Sequence, residues 1–401
     1  MKTSIPFIIC FIIFLFFQNS LISQCDPISG FDVLGRKCGA TIQTAVPFLR
    51  INPDARSAGM GDVGIAVSPD ANAMHFNASK LAMAEEKFGV SVNYAPWLHN
   101  LGVTDINLTY LSSYLKLGKN NDKAIGLSVR YFSLGEIQWT SYSATPSNTN
   151  KTRELEIAGS YSQKLNQHLS LGITGKYIYT TLGGSYLSPS PSSNQTGESF
   201  AVDVSMTYKK PLKINNNEGD FTFGAAISNV GDKINYFGFS DFLPTNLGIG
   251  TALNLPFDKN HRMVFALDLN KFLVPTPQPI TIDPTQNWRT ISPIAGIFKS
   301  FTDAPGGSSE ELQEINISTG LEYWIKNTVS IRAGYFYEDK NKGGRQYFTT
   351  GAGLKFKHLG FNFSYIIPFS PQRGPLDNSI RFSLLYNAAS FKDGSVNNSN
   401  N

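Results

Sequence analysis

The sequence predicts an all-β fold, a fourteen-stranded antiparallel transmembrane β-barrel with a small N-terminal hatch or plug. Three observations lead there. From Phe88 onward, apolar and polar residues alternate with a period of two over about fourteen segments. The polar face of those segments carries Asp, Glu and Arg in mid-strand, which a dry sandwich core would not tolerate. The links between segments are short and long by turns, the asymmetry expected of periplasmic turns and outer loops.

Composition agrees with strands that face something apolar. Charged residues make up 16% of the 401, against about 25% in ordinary soluble domains, and aromatics make up 12%. The balance of 34 Lys+Arg against 30 Asp+Glu shows no basic stripe and argues against a nucleic-acid partner.

Residues 1–24 read as a secretory signal, with Lys2 at the positive start, an apolar run from Ile5 to Phe17, and small residues before Gln24. The run is short for a membrane-spanning helix, so a membrane protein built from this chain must cross as a closed barrel. A lipid anchor at Cys25 is the alternative, disfavoured by Gln24 before it. Cys10 leaves with the signal. The remaining Cys25 and Cys38 suit a disulfide closing a small N-terminal loop better than a metal site.

Residues 25–87 form the N-terminal segment and hatch. Asp54 to Leu81 is dense in Gly and Ala, as backbone held close to other backbone requires. Gly59, Gly61 and Gly64 also satisfy G-x-G-x-x-G. No strand precedes them and no βαβ unit surrounds them, so a dinucleotide site is not supported.

Residues 88–389 form the barrel, with segments starting near 88, 103, 123, 152, 168, 198, 219, 245, 261, 314, 328, 346, 359 and 379. Short links such as Lys326-Asn327 and Lys357-His358 alternate with long ones such as Leu273 to Gln313. Pro275 to Leu312 reads as a structured lid, with a short helix or strand around Ile294 to Phe301. Aromatics near segment ends, among them Trp97, Phe132, Trp288, Trp324 and Tyr347, suggest interfacial girdles. Residues 390–401 are a polar, Asn-rich tail expected to be disordered.

Catalytic patterns are scarce. Five histidines are scattered singly, and no H-E-x-x-H, C-x-x-C or G-x-S-x-G occurs, so neither an enzyme, a metal nor a cofactor is expected. His99 beside Trp97 is the one candidate for a Ser–His pair built across strands, and a plain loop histidine is the competing reading. Asp105, Asp203 and Asp268 are expected to pair with Arg130, Arg332 and Arg381 across a wet lumen, the alternative being that they line a pore or bind a substrate. Trp97 and Leu98 in one outer loop, and Phe237, Phe239, Phe242 and Leu243 in another, put apolar side chains where water is expected. Such a patch marks a contact surface, or else rests in the lipid interface or folds over the barrel mouth.

Residues 45–82, 93–105, 292–307 and 331–356 resemble the PorV family of outer-membrane barrels of the type IX secretion system. A more distant likeness is to FadL-like transporters of hydrophobic compounds, which also have fourteen strands and an N-terminal hatch. Asn77-Ala78-Ser79 stands where those have N-P-A, so Asn77 closes the hatch without the Pro, and a FadL-type ligand site is not carried over. The resemblance implies a multi-pass barrel in a Gram-negative, Bacteroidota-type outer membrane. It implies a shuttle that takes cargo by its C-terminal signal domain from the translocon barrel to a sortase-like attachment complex; the apolar loop residues Trp97, Leu98, Phe237, Phe239, Phe242 and Leu243, read above from their positions, are the expected contacts. A hydrophobic-solute channel and a lipopolysaccharide deacylase are the alternatives. The first needs a conduit past the hatch, and the second needs a polar triad that the sequence does not display.

Overall fold

The computed structural model describes residues 41–98, 103, 105–140, 146–181, 196–214, 217–236, 239–277, 288–369 and 379–388. The signal, Cys25, Cys38, His99, Phe237 and the tail lie outside them.

The alternating stretches form strands because every second side chain is apolar and turned outward. In chain order they are β1 (Phe88–Pro96), β2 (Ile106–Leu117), β3 (Lys123–Thr140), β4 (Pro146–Lys164) and β5 (Leu169–Thr180). Next come β6 (Gly197–Ile214), β7 (Asn217–Gly231), a small hairpin of β8 (Ile234–Tyr236) and β9 (Phe239–Asp241), β10 (Asn246–Pro256) and β11 (His261–Phe272). The last five are β12 (Ile315–Ile325), β13 (Val329–Tyr337), β14 (Gln346–Phe356), β15 (Leu359–Pro368) and β16 (Ile380–Ala388). All but β8 and β9 join one closed sheet of fourteen strands, each antiparallel to its neighbours in sequence. The ring closes between the ends of the chain, with Phe88 opposite Ala388 and Tyr94 opposite Phe382. Closure leaves no edge with unpaired backbone groups, the condition for crossing lipid with strands.

The two faces sort as the period predicts. Leu127, Val129, Ile157, Ile173, Val204, Phe265, Leu321 and Leu384 are exposed on the outside, while Arg130, Glu156, Asp203, Asp268, Glu322, Arg332 and Ser383 are buried on the inside. The β3–β4 pair continues past two register shifts, between Ser133 and Glu136 and between Gln138 and Thr140.

Part of the lumen is occupied by the N-terminal segment. Residues 45–84 run inside the barrel as short helical turns: a 3-10 turn at Pro47–Arg50, α1 (Ala55–Ala58), α2 (Ala73–Phe76) and a 3-10 stretch at Ala78–Met83. This packing corrects the expected Asp–Arg pairs. Asp203 pairs with Lys176 at 2.7 Å, and Asp268 accepts the Gly64 and Ile65 amides of the hatch. Asp105 lies before β2 and accepts the Glu136 amide. Arg130 meets Glu156 at 3.7 Å and donates to the Phe48 and Leu49 carbonyls, and Arg332 pairs with Glu322. The reason is geometric: partners across a lumen depend on register and on what fills the bore, neither of which periodicity reports.

The girdle expectation also fails for part of its set. Trp324, Phe132 and Tyr347 turn inward and are buried, Trp97 packs against the inner apolar cluster, and Trp288 lies in the lid. Tyr94, Tyr131, Phe348 and Tyr386 face outward.

A hatched chamber and an outer lid as the candidate functional site

The hatch is seated backbone against backbone. A Cβ on Gly59 would lie 3.1 Å from the Gly351 Cα, and one on Gly61 would lie 2.5 Å from the Thr319 carbonyl oxygen. Gly61 also has φ +71°, which favours glycine by itself. The wall answers with its own glycines: a Cβ on Gly334 would fall 2.1 Å from the Gly61 nitrogen. Gly64 leaves room for the Phe76 ring, 2.2 Å from where its Cβ would stand.

Polar bonds then tie this plug to many strands. Asn77 caps the 3-10 stretch through the Ser79 amide, and its side-chain nitrogen donates to the Ile65 carbonyl, the Met206 carbonyl and Thr207 Oγ1. Asn93 on β1 and Ser112 on β2 both donate to Asn72 Oδ1. The Gly61 amide reaches Thr349 on β14, and the Ala55 amide reaches Ser383 on β16. At the centre, Glu322 accepts from Arg56 Nε and Nη2 at 2.9 and 2.7 Å and from Arg332 Nε at 2.8 Å.

Outward of the hatch lies a chamber of about 480 Å³. Phe48, Ile51, Trp97, Phe132, Leu134 and Phe336 give it apolar walls, and Asp62, Arg345, Tyr347 and Arg381 give it a polar side. Among the described residues no three His, Cys, Asp or Glu side chains converge to hold a metal.

The apolar residues expected to be partner contacts mostly pack inward. Phe242 and Leu243 are 3% and 1% exposed. Leu243 joins Val46, Phe48, Leu49, Ala95, Leu108 and Phe132 in an apolar cluster at the outer end, with Trp97 against it. The Trp97 ring meets Phe132 edge-on at 5.0 Å. Phe242 stacks on Trp288 at 6.0 Å with the Lys233 ammonium 4.3 Å from its ring centre. For Phe242 and Leu243 the contact expectation is therefore corrected. Leu243 packs with the incoming segment at 45–49, while the Phe242 ring packs under the lid and its carbonyl accepts the Ala45 amide. Trp97 and Leu98 are half-buried and line the chamber. Phe239 occupies a strand position in β9, paired with Tyr236.

A different surface is exposed instead. The lid contains α3 (Pro293–Lys299) and α4 (Ser308–Gln313). Ser292 caps α3 with its hydroxyl on the Ala295 amide, and Pro293 sits at the tolerated first position. Gly296 brings the helix down onto Phe242 and Pro275. Its other face shows Ile294 and Phe298, four residues apart, at 59% and 73% exposure, and Phe301 and Leu312 add 45% and 69%.

Ion pairs hold the lid at both ends. Arg289 Nε meets Asp241 at 2.6 Å, and Lys233 donates to the Arg289 and Ile291 carbonyls. At the far end Lys271 bridges Glu311 and Glu314, and Lys342 bridges Glu310 and Glu314. Burial alone would raise the Glu314 carboxyl, but hydrogen bonds from Lys271, Thr276 and Lys342 outweigh it and hold the group below its ordinary range. Asp303 is pushed up to about 6 by burial, although the Thr276 amide opposes the shift. Sequence reasoning marked the lid as structured but missed its exposed face. The Ile294/Phe298 spacing inside a long loop was the available signal.

A family model described as "Type IX secretion system protein PorV" matches residues 36–279, more than half of the chain. The chain belongs to the PorV family. It is accordingly an outer-membrane β-barrel of the type IX secretion system. No curated protein sequence matches it. Among solved structures, this PorV-family chain is similar to a TodX monoaromatic hydrocarbon channel mutant at 12% identity, over 84% of this chain and 98% of that one, with a TM-score of 0.49. It is similar to the Ralstonia pickettii toluene transporter TbuX at 11% identity, over 84% and 98%, with a TM-score of 0.47. The third is a Pseudomonas aeruginosa FadL homologue at 12%, over 87% and 99%, with a TM-score of 0.41. Those likenesses concern barrel architecture and not the hydrocarbons those channels take.

Proposed function

We propose that this PorV-family barrel is a non-enzymatic carrier. It takes cargo leaving the translocon barrel by the C-terminal signal domain and passes it to a sortase-like attachment complex at the cell surface. The observation that carries this reading is the lid, a rigidly anchored outer loop that shows Ile294, Phe298, Phe301 and Leu312 to its surroundings. Apolar side chains held out on a braced helix suit a protein partner, because ordering costs have been met before contact. The hatch supports the same reading over a solute channel. Its bonds reach strands on several sides of the wall, so a conduit would require breaking many of them together.

The contact role assigned earlier to Phe242 and Leu243 moves to this lid face. Replacing Ile294 and Phe298 together with Ser removes exposed apolar area without opening a core, so barrel stability should change by no more than about 0.5 kcal/mol. Co-purification of translocon or cargo with the tagged barrel should fall at least about tenfold, as loss of two central apolar anchors implies. Unchanged recovery of both partners would remove the lid from the account.

A further inference from the structure

The end of the barrel that carries the short turns, the periplasmic end, is basic and mostly without ion pairs. Among the described residues its one ion pair joins Lys209 to Asp220. At the outer end, by contrast, Lys271, Arg289, Lys342 and Arg345 all sit in ion pairs. Lysines gather at three successive turns, β10–β11, β12–β13 and β14–β15, which carry Lys259, Lys326, Lys355 and Lys357 at or beside their tips. The turns are neighbours in space. The Lys326 amide donates to the Asn260 carbonyl at 2.6 Å, and the Lys355 amide donates to the Thr328 carbonyl at 2.7 Å. All four lysine side chains are exposed. The one carboxylate in these turns, Asp258, already accepts the Asn260 and His261 amides on its Oδ1.

Two of the lysines stand where the backbone disfavours them. Lys326 and Lys357 have φ of +52° and +51°, the left-handed conformation that tight hairpin turns fill with Asn or Gly. Positive charge is kept at these tips against the local preference. Apolar rings flank it on the same rim. Phe257 and Phe356 are 53% and 65% exposed, and the Lys357 ammonium lies 5.5 Å from the Phe356 ring centre. Phe356 ends the outward row of Phe348 and Leu354 on β14, at the periplasmic border of the lipid-facing wall. Ammonium groups on long apolar stems beside exposed rings suit the boundary between acyl chains and phosphates. Clustered lysines at that boundary attract lipid of net negative charge. We infer that this patch binds an anionic phospholipid of the periplasmic leaflet, its headgroup on the four lysines and its acyl chains against Phe257 and Phe356. An acidic protein face would answer the lysines but not the two rings at the edge of the lipid wall. The inference is independent of the lid and of the chamber.

Native mass spectrometry of the intact barrel in detergent tests it, with phosphatidylglycerol and phosphatidylcholine of identical chains as probes. The first phosphatidylglycerol should bind about tenfold tighter than phosphatidylcholine, and the preference should shrink in about 0.5 M ammonium acetate as screening sets in. Lys259→Gln/Lys326→Asn/Lys355→Gln/Lys357→Asn should erase the preference and leave phosphatidylcholine binding unchanged. Asn suits the two left-handed positions better than Lys, so this variant should unfold no earlier than the unaltered barrel. Lys119→Gln/Lys123→Gln/Lys210→Gln/Lys213→Gln removes the same charge from other turns of the same rim and should keep the preference. Equal affinity for the two lipids in the unaltered barrel overturns the inference. So does a preference that survives in the first variant, or one lost equally in the second. Binding of an oligoglutamate peptide with no preference between the lipids would assign the patch to an acidic protein and overturn it as well.

Discussion

Replacing Glu322 with Ala is expected to destabilise the barrel by about 3–5 kcal/mol, the cost of stranding buried guanidinium groups. Glu322 is fully buried and accepts three hydrogen bonds from Arg56 and Arg332, one arginine on the hatch and one on the wall. Without it, Arg56 keeps Asp70 at 3.6 Å and the Ser68 carbonyl and hydroxyl, while Arg332 loses its ion-pair partner. Urea unfolding of the barrel refolded in vesicles reads the loss. Because the carboxylate joins hatch to wall, a second change, Arg56→Met, should recover part of it, and the double variant should be more stable than the two single effects predict. Strict additivity would mean that the two side chains do not communicate and that the hatch is not keyed through this site.

Gly61→Ala should be nearly as damaging, by about 3 kcal/mol or more, through two costs that add at one residue. The backbone there is left-handed, and the new methyl would stand 2.5 Å from the Thr319 carbonyl oxygen and 2.6 Å from the Tyr335 nitrogen. Those atoms are strand backbone, which can retreat only by breaking the pairing of β12 with β13. The hatch should therefore lift from the wall, and limited proteolysis should cut between Asp54 and Leu81 in the variant but not in the unaltered barrel. A Gly61→Ala protein of ordinary stability and protease resistance would show a hatch that moves freely, as a conducting channel requires.

The contrast between these residues and the outer loops explains how far the sequence could be read. Strands were legible almost to the residue, because an outer face in lipid and an inner face on polar groups enforce a period of two. Segments expected at 88, 123, 261, 346 and 359 begin there. The largest slip is β4, which starts at Pro146 rather than near 152 because its first residues, PSNTNK, are polar throughout and carry no alternation to read. The hatch was legible from its glycines, whose packing needs only the absence of a Cβ. Asn77 was found by position, but its bonds to β6 were not.

Loop aromatics were the hard case. Outside a strand no periodicity says which way a side chain turns, and Phe242 and Phe298 look alike as letters. Only the fold shows that the first is buried beneath the lid against Trp288 while the second faces out. Arg381 was visible as a charge in a strand. That its Nε and Nη1 are buried without a hydrogen-bond partner was not, since pairing depends on barrel shear and on the hatch.

Deletion of the chain from cells that secrete through the type IX system, followed by fractionation of the cargo, tests the central claim most directly. The account predicts that proteins bearing the C-terminal signal domain accumulate in the periplasm and disappear from the surface, with recovery by the intact chain but not by the Ile294→Ser/Phe298→Ser form. Normal surface delivery of cargo in the deletion strain would contradict it.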